Sequence, residues 1–179
     1  MTGIPEAASD PVETRFAGPW LIPDRDYLSF IARLFRAAER RCLVSVFLVS
    51  APWRDRELVM EALLVELADA NARGVDARLL VGGAQSNAMM VQLAESAVKR
   101  ARHLRVPCRS ITSIPRVAGH SKVVISDDNV LVGSHRWSES GGGSSDDEHT
   151  DSVYVTSGSL ARTLDKRFRQ QWLGAQAQG

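Results

Sequence analysis

The sequence predicts an α/β layered fold in which a central mixed, mostly parallel β-sheet is flanked by helices. Three observations predict it. Between residues 24 and 103 the pattern runs helix, strand, helix, strand, helix, the alternation that builds parallel pairs. The strands of that stretch, CLVSVFLVS and VDARLLVG, are nearly continuous apolar runs, as suits strands buried on both faces. After Pro107 the texture shifts to short strands separated by turns.

Each element has its own signal. Residues 1–22 carry Pro5, Pro11 and Pro19 and little periodicity, so they are expected to be a flexible arm. From Asp24 to about Arg40, Leu28, Ile31 and Phe35 recur at helical spacing. Asp55 can cap a second helix with Val59, Leu63 and Leu67 on one face, and Gly74 ends it. Ser86 can cap a third, through about His103, whose Met89, Met90 and Leu93 read as core. RSITSI, HSKVVIS and NVLVGS follow as short strands, with SDDN a tight turn between the last two. Residues 139–150, ESGGGSSDDEHT, read as a loop, and SVYVT as a further strand. The last helix starts near Ser159 and aligns Leu160, Leu164, Phe168 and Trp172 at four-residue steps. Residues 23–174 are thus expected to be one domain, with 175–179 a frayed tail.

Composition narrows the function classes. A chain of 179 residues, 44% hydrophobic and 24% charged, can bury a core without disulfides or metals. No apolar run approaches the roughly 18 residues of a spanning helix. The first residues lack the basic start and apolar block of a secretory signal, and Cys42 and Cys108 are too few for a disulfide framework. A cytoplasmic setting is the expectation.

The net charge of +1 conceals a bias and a segregation. Of 22 basic residues 19 are arginine, whose planar fork suits phosphate. Lys99, Arg100, Arg102, Arg105, Arg109 and Arg116 form a stretch without an acid, whereas residues 127–151 hold seven acids against Arg136. Two readings stand: a solvated helix face beside an acidic loop, or a basic rim that binds a polyanion.

The chemistry concentrates in GHSKVVISDDNVLVGSHRWS. On a strand, residues i and i+2 share a face, so His120 and Lys122 project together. Lysine would hold the non-bridging oxygens of a phosphodiester, and histidine would attack phosphorus or move protons. Asp127 lies at the far end of the strand and reads as an anchor in the turn. Chance supplies the His-x-Lys-x4-Asp spacing about 0.005 times in a chain of this composition. Gly133-Ser134 follows the next strand, where glycine permits close approach and the serine hydroxyl can donate to phosphate.

This segment resembles the His-Lys-Asp motif of the phospholipase D superfamily, followed by that family's Gly-Ser-x-Asn element. RGVDARLLV upstream, EHTDSVYV downstream and a final helix ending in Trp172 extend the resemblance over residues 24–173, with the small bacterial endonucleases of the superfamily as the nearest members by size. The resemblance implies a phospholipase D-like layered fold and a metal-independent reaction. His120 would form a phosphohistidine, Lys122 and Ser134 would bind phosphate, and Asp151 would hydrogen-bond the histidine. Arg136 stands where the family has asparagine; it keeps a donor for phosphate but is longer and charged.

Other residues receive plainer readings. His120, His135 and His149 match no common zinc spacing, and GGGSS lacks the Lys-Ser/Thr ending of a phosphate loop, so no cofactor is expected. Trp137 can stack on a base, with core packing as the alternative. The motif occurs once, yet the reaction uses one group to attack and another to protonate the leaving oxygen. A homodimer facing motif to motif supplies both. The resulting expectation is a homodimeric nuclease without stable membrane insertion, and a larger defence or repair assembly is compatible with it. A phospholipase of the same chemistry and a catalytically impaired nucleic-acid-binding module are the rivals.

Overall fold

The computed structural model describes residues 19–47, 57–82, 88–111, 122–133 and 152–175. In chain order the elements are β1 (Trp20–Ile22), α1 (Asp24–Ala37), β2 (Arg41–Val46), α2 (Glu57–Ala72), β3 (Asp76–Val81), α3 (Ala88–His103), β4 (Cys108–Ser110), β5 (Val123–Ser126), β6 (Asn129–Gly133), β7 (Ser152–Thr156) and α4 (Gly158–Gly174). The strands form one seven-stranded sheet in the order β1-β7-β6-β5-β2-β3-β4.

The sheet is mixed, as expected, but its pairings are not mostly parallel. Only β2–β3 and β3–β4 are parallel, and the other four pairings are antiparallel. The cause is the connections. Helices α2 and α3 are crossovers that return the chain to the starting end, whereas the two-residue turn Asp127–Asp128 reverses β5 into β6. Five strands nonetheless point the same way, because β1 and β6 run alongside β2, β3 and β4 in direction without neighbouring them.

Helices cover both faces of the sheet. Ile31 and Phe35 of α1, Leu63 and Leu67 of α2, and Ala94 and Val98 of α3 share a core with Cys42, Val44, Leu79 and Val81. On the opposite face Ala161, Phe168 and Trp172 of α4 pack on Leu43, Leu80, Ile125 and Val130. Strand β2 is therefore buried on both sides, as its unbroken apolar run predicts.

Two helix ends show how the sequence stops them. At the end of α2, Gly74 (φ +91°) lets its N–H reach the Asn71 carbonyl at 3.0 Å, and the Val75 N–H reaches Ala70 at 3.1 Å. At the end of α3, Arg105 fills the equivalent place with φ 61°, its N–H on Arg102 and that of Val106 on Ala101. A side chain in this left-handed conformation is strained where glycine is not.

The domain ends also differ from expectation. Trp20–Ile22, assigned to the arm by sequence, pair antiparallel with β7, since Ile22 buries into the α1–α3 core. Ala175, assigned to the tail, is buried against α4's core and donates its N–H to the Trp172 carbonyl.

Candidate active site

One edge of the sheet gathers the motif's described flanks. Strands β1, β2, β3, β4 and β6 end there, and β5 and β7 begin there. The connections 48–56, 83–87, 112–121 and 134–151 all attach to this edge. His120, Arg116, Ser134, Arg136, Trp137 and Asp151 fall in the last two and lie outside the described residues.

The described flanks meet closely. Lys122 directly precedes β5, and its carbonyl accepts the Gly133 N–H at 3.2 Å. Its Nζ stands 5.8 Å from the centre of the Phe47 ring, at the end of β2. Gly133 pairs with the fully buried Ser152 of β7. A Cβ on Gly133 would lie 1.9 Å from the Ser152 Oγ and 2.8 Å from its Cβ, so no other residue fits. Lys122, Gly133 and Ser152 thus occupy adjacent ends of three consecutive strands. By covalent connection His120 is two residues before the first, Ser134 one after the second and Asp151 one before the third.

Asp127 sits at the opposite end of β5, roughly 16 Å from Lys122 along an extended strand. Its carboxylate accepts the backbone N–H groups of Glu39 (2.9 Å), Arg40 (2.9 Å) and Arg41 (3.0 Å). Partial burial opposes its charged form, but these donors and the nearby Arg40 guanidinium outweigh that and hold the carboxyl below its ordinary range. Asp127 is therefore the turn anchor expected from its spacing: it ties the β5–β6 turn to the α1–β2 connection.

The basic stretch does not form one rim. Lys99, Arg100 and Arg102 lie in the last turns of α3, at the end of the sheet away from Lys122. The charge of Arg100 is taken by Glu61, which lies within bonding reach of its Nε at 2.8 Å. Arg105 terminates the helix. Arg109 projects to the other face, donating from Nη1 to the Trp172 carbonyl at 2.7 Å, with its guanidinium 4.8 Å from the indole centre. A segment continuous in sequence is split because a helix, a turn and a strand divide it among two ends and two faces.

Sequence reading passed over α4 as a source of charge. A small cleft beneath that helix is lined by Ser45, Val123, Ile125, Leu164, Arg167, Phe168 and Gln171. Its floor residue Val123 immediately follows Lys122. The signal available in sequence was the composition DKRFR, four charged residues of which three are basic.

Comparisons with known proteins agree with this fold. Residues 31–172 match the family model described as cardiolipin synthase, PLD-like domain. The structure resembles Nuc from Salmonella typhimurium, a phospholipase D family member, with TM-score 0.64 and 17% identity over 89% of this chain and 97% of that one. It also resembles NucT from Helicobacter pylori, with TM-score 0.61 and 12% identity over 88% and 97% of the two chains. The archaeal chromatin protein TrmBL2, described as binding DNA in a novel mode, gives TM-score 0.56 and 14% identity over 92% of this chain and 56% of its own. No curated protein matches the sequence significantly.

Proposed function

This chain belongs to the phospholipase D superfamily, and from that premise we propose that it is a metal-independent nuclease acting through a phosphohistidine in a site shared by two identical subunits. The observation that carries the reading is the meeting of Lys122, Gly133 and Ser152 at one sheet edge. Those residues flank the two connections that hold His120, Ser134 and Asp151.

In the proposed reaction the His120 imidazole attacks phosphorus, and the bond from phosphorus to the leaving oxygen breaks. That oxygen takes a proton from His120 of the second subunit. Water then attacks the phosphohistidine, gives its proton back to the second histidine, and the N–P bond breaks. Lys122 neutralises the non-bridging oxygens, Ser134 donates to one of them, and Asp151 holds the histidine tautomer. Asp127 stays outside the chemistry.

A surface beside the edge supports the second subunit. Leu21, Val153 and Val132 lie side by side across β1, β7 and β6, with 62%, 44% and 43% of their areas exposed. Such a row beside a motif that occurs once in the sequence suits burial against a copy of the same surface. Nucleic acid is favoured as substrate by the arginine bias. Among the described residues no helix is long and apolar enough to cross a membrane.

The deciding experiment is digestion, with excess EDTA present, of single- and double-stranded DNA and RNA and of phosphatidylglycerol micelles. Cleavage of a nucleic acid that His120→Ala abolishes supports the proposal. Cleavage of lipid alone makes the chain a phospholipase. Binding without turnover makes it an impaired module, with Arg136 as the residue to revert to asparagine.

A further inference from the structure

The charge of the helices is distributed unevenly between the two faces of the sheet. Helices α1, α2 and α3 together carry six basic and seven acidic side chains, while α4 alone carries four basic and one acidic. Within α4 the acid is already used. Asp165 binds Arg169 and Arg41, and Arg169 also binds Asp76. Arg162, Lys166 and Arg167 remain, all exposed, and among the described residues none lies within ion-pair distance of an acid.

These three cations cross the exposed side of α4, from Arg162 beside the Asp128 turn at the far end of the sheet to Arg167 on the cleft that opens toward Lys122. Arg162 and Lys166 are one helical turn apart, about 6 Å along the axis. Arg167, next along, walls the cleft whose floor includes Val123, the residue after Lys122. Arg109, beside Trp172 on the same face, adds a cation whose hydrogen bond goes to a carbonyl rather than an acid. The α3 cations stand at the far end of the sheet and on its other face, with no cation leading from them to the cleft among the described residues.

We infer that α4 is the surface that carries the sugar-phosphate backbone of a nucleic acid to the site, with Arg162, Lys166 and Arg167 as its phosphate-binding residues. The inference rests on the nuclease reading and gives that site a direction of approach. An anionic membrane is disfavoured as occupant. Ser159, Thr163 and Gln170 are exposed and polar, the exposed Leu160 and Leu173 stand at opposite ends of α4, and its continuous apolar face, with Ala161, Phe168 and Trp172, is spent on the sheet. A helix lying in a membrane interface needs that face outward.

The test compares two triple variants of the full chain. One is Arg162→Gln, Lys166→Gln, Arg167→Gln, and the other is Lys99→Gln, Arg102→Gln, Arg105→Gln. Affinity for a fluorescein-labelled oligonucleotide is read by anisotropy across a salt series, and binding to phosphatidylglycerol vesicles by sedimentation. Thermal melting checks folding, which removal of unpaired exposed charges leaves intact. The α4 variant should lose tenfold or more in affinity at low salt, and about two to three units of log–log salt slope. The α3 variant should stay near the parent. Equal losses in both, no loss in the α4 variant, or no binding by the parent would overturn the inference. So would a loss confined to vesicles. Binding through α4 without cleavage would retain it while refuting the nuclease. Cleavage unaffected by the α4 variant would refute it while retaining the nuclease.

Discussion

The carboxylate of Asp127 accepts the backbone N–H of Arg40 at 2.9 Å, across 87 positions of sequence. With Glu39 and Arg41 donating as well, one side chain satisfies three N–H groups where the chain enters β2. The aspartate of the motif thus fastens the end of the sheet opposite the lysine.

Asp127→Ala should therefore cost stability. Three donors would lose a charged acceptor, so a loss of about 2–3 kcal/mol is expected from urea denaturation. Unchanged stability with lost turnover would place Asp127 in the chemistry.

Acid should weaken the protein through the same groups. Asp76 resembles Asp127: partial burial raises its carboxyl, but Arg78 and Arg169 more than offset this and hold it low. A carboxyl held below its unfolded value of 3.8 stabilises the fold above that pH and ceases to as pH falls through the folded value. Urea midpoints should change little through these two groups from pH 8 to 5, then fall below about pH 4. Asp76→Asn with Asp127→Asn should flatten the fall, and an equally steep fall in that variant would exclude these two carboxylates as its cause.

Gly133→Ala should separate β6 from β7 beside the site. Its methyl would overlap the Ser152 side chain, an overpacking penalty of about 1–3 kcal/mol. Adding Ser152→Gly removes the two closest atoms and should recover part of the loss. No recovery would place the strain elsewhere.

Arg105→Gly should stabilise. Glycine accepts the left-handed conformation that ends α3, and relief of about 0.5–1 kcal/mol outweighs its added freedom when unfolded. A lower melting temperature would mean that the Arg105 side chain contributes more than its backbone costs.

A mixed dimer of wild-type and His120→Ala subunits should be nearly inactive, because each site then lacks either its nucleophile or its acid. Half the wild-type rate would place the proton donor within a single chain. Size measurement should give about twice the 19.6 kDa chain mass under assay conditions.

Local pattern made the elements legible. The buried run of β2, the glycine that closes α2, the turn at Asp127–Asp128 and the Leu164, Phe168 and Trp172 steps of α4 each depend on neighbours a few positions away, whereas Leu160, read into the same ladder, is exposed and Ala161 is buried in its place. The anchoring role of Asp127 was legible too, because a strand's length separates it from Lys122. Strand β1 was not, since three residues between Pro19 and Pro23 carry too little periodicity to announce a strand that exists only by pairing with β7.

Sequence by itself determined the family and the strand and helix succession, because motif spacing and periodicity are written in adjacent positions. Tertiary structure alone decided which strands are neighbours, that Lys122, Gly133 and Ser152 share an edge, and where the charge lies. A basic run from Lys99 to Arg109 reads as one patch, yet helix α3, its turn and β4 carry those side chains to different ends and faces. The exposed cations of α4 stand out only because Asp165 is drawn aside to Arg41, 124 positions away. Electrostatic fields depend on distances in space, and folding rearranges those distances after the sequence has set the charges.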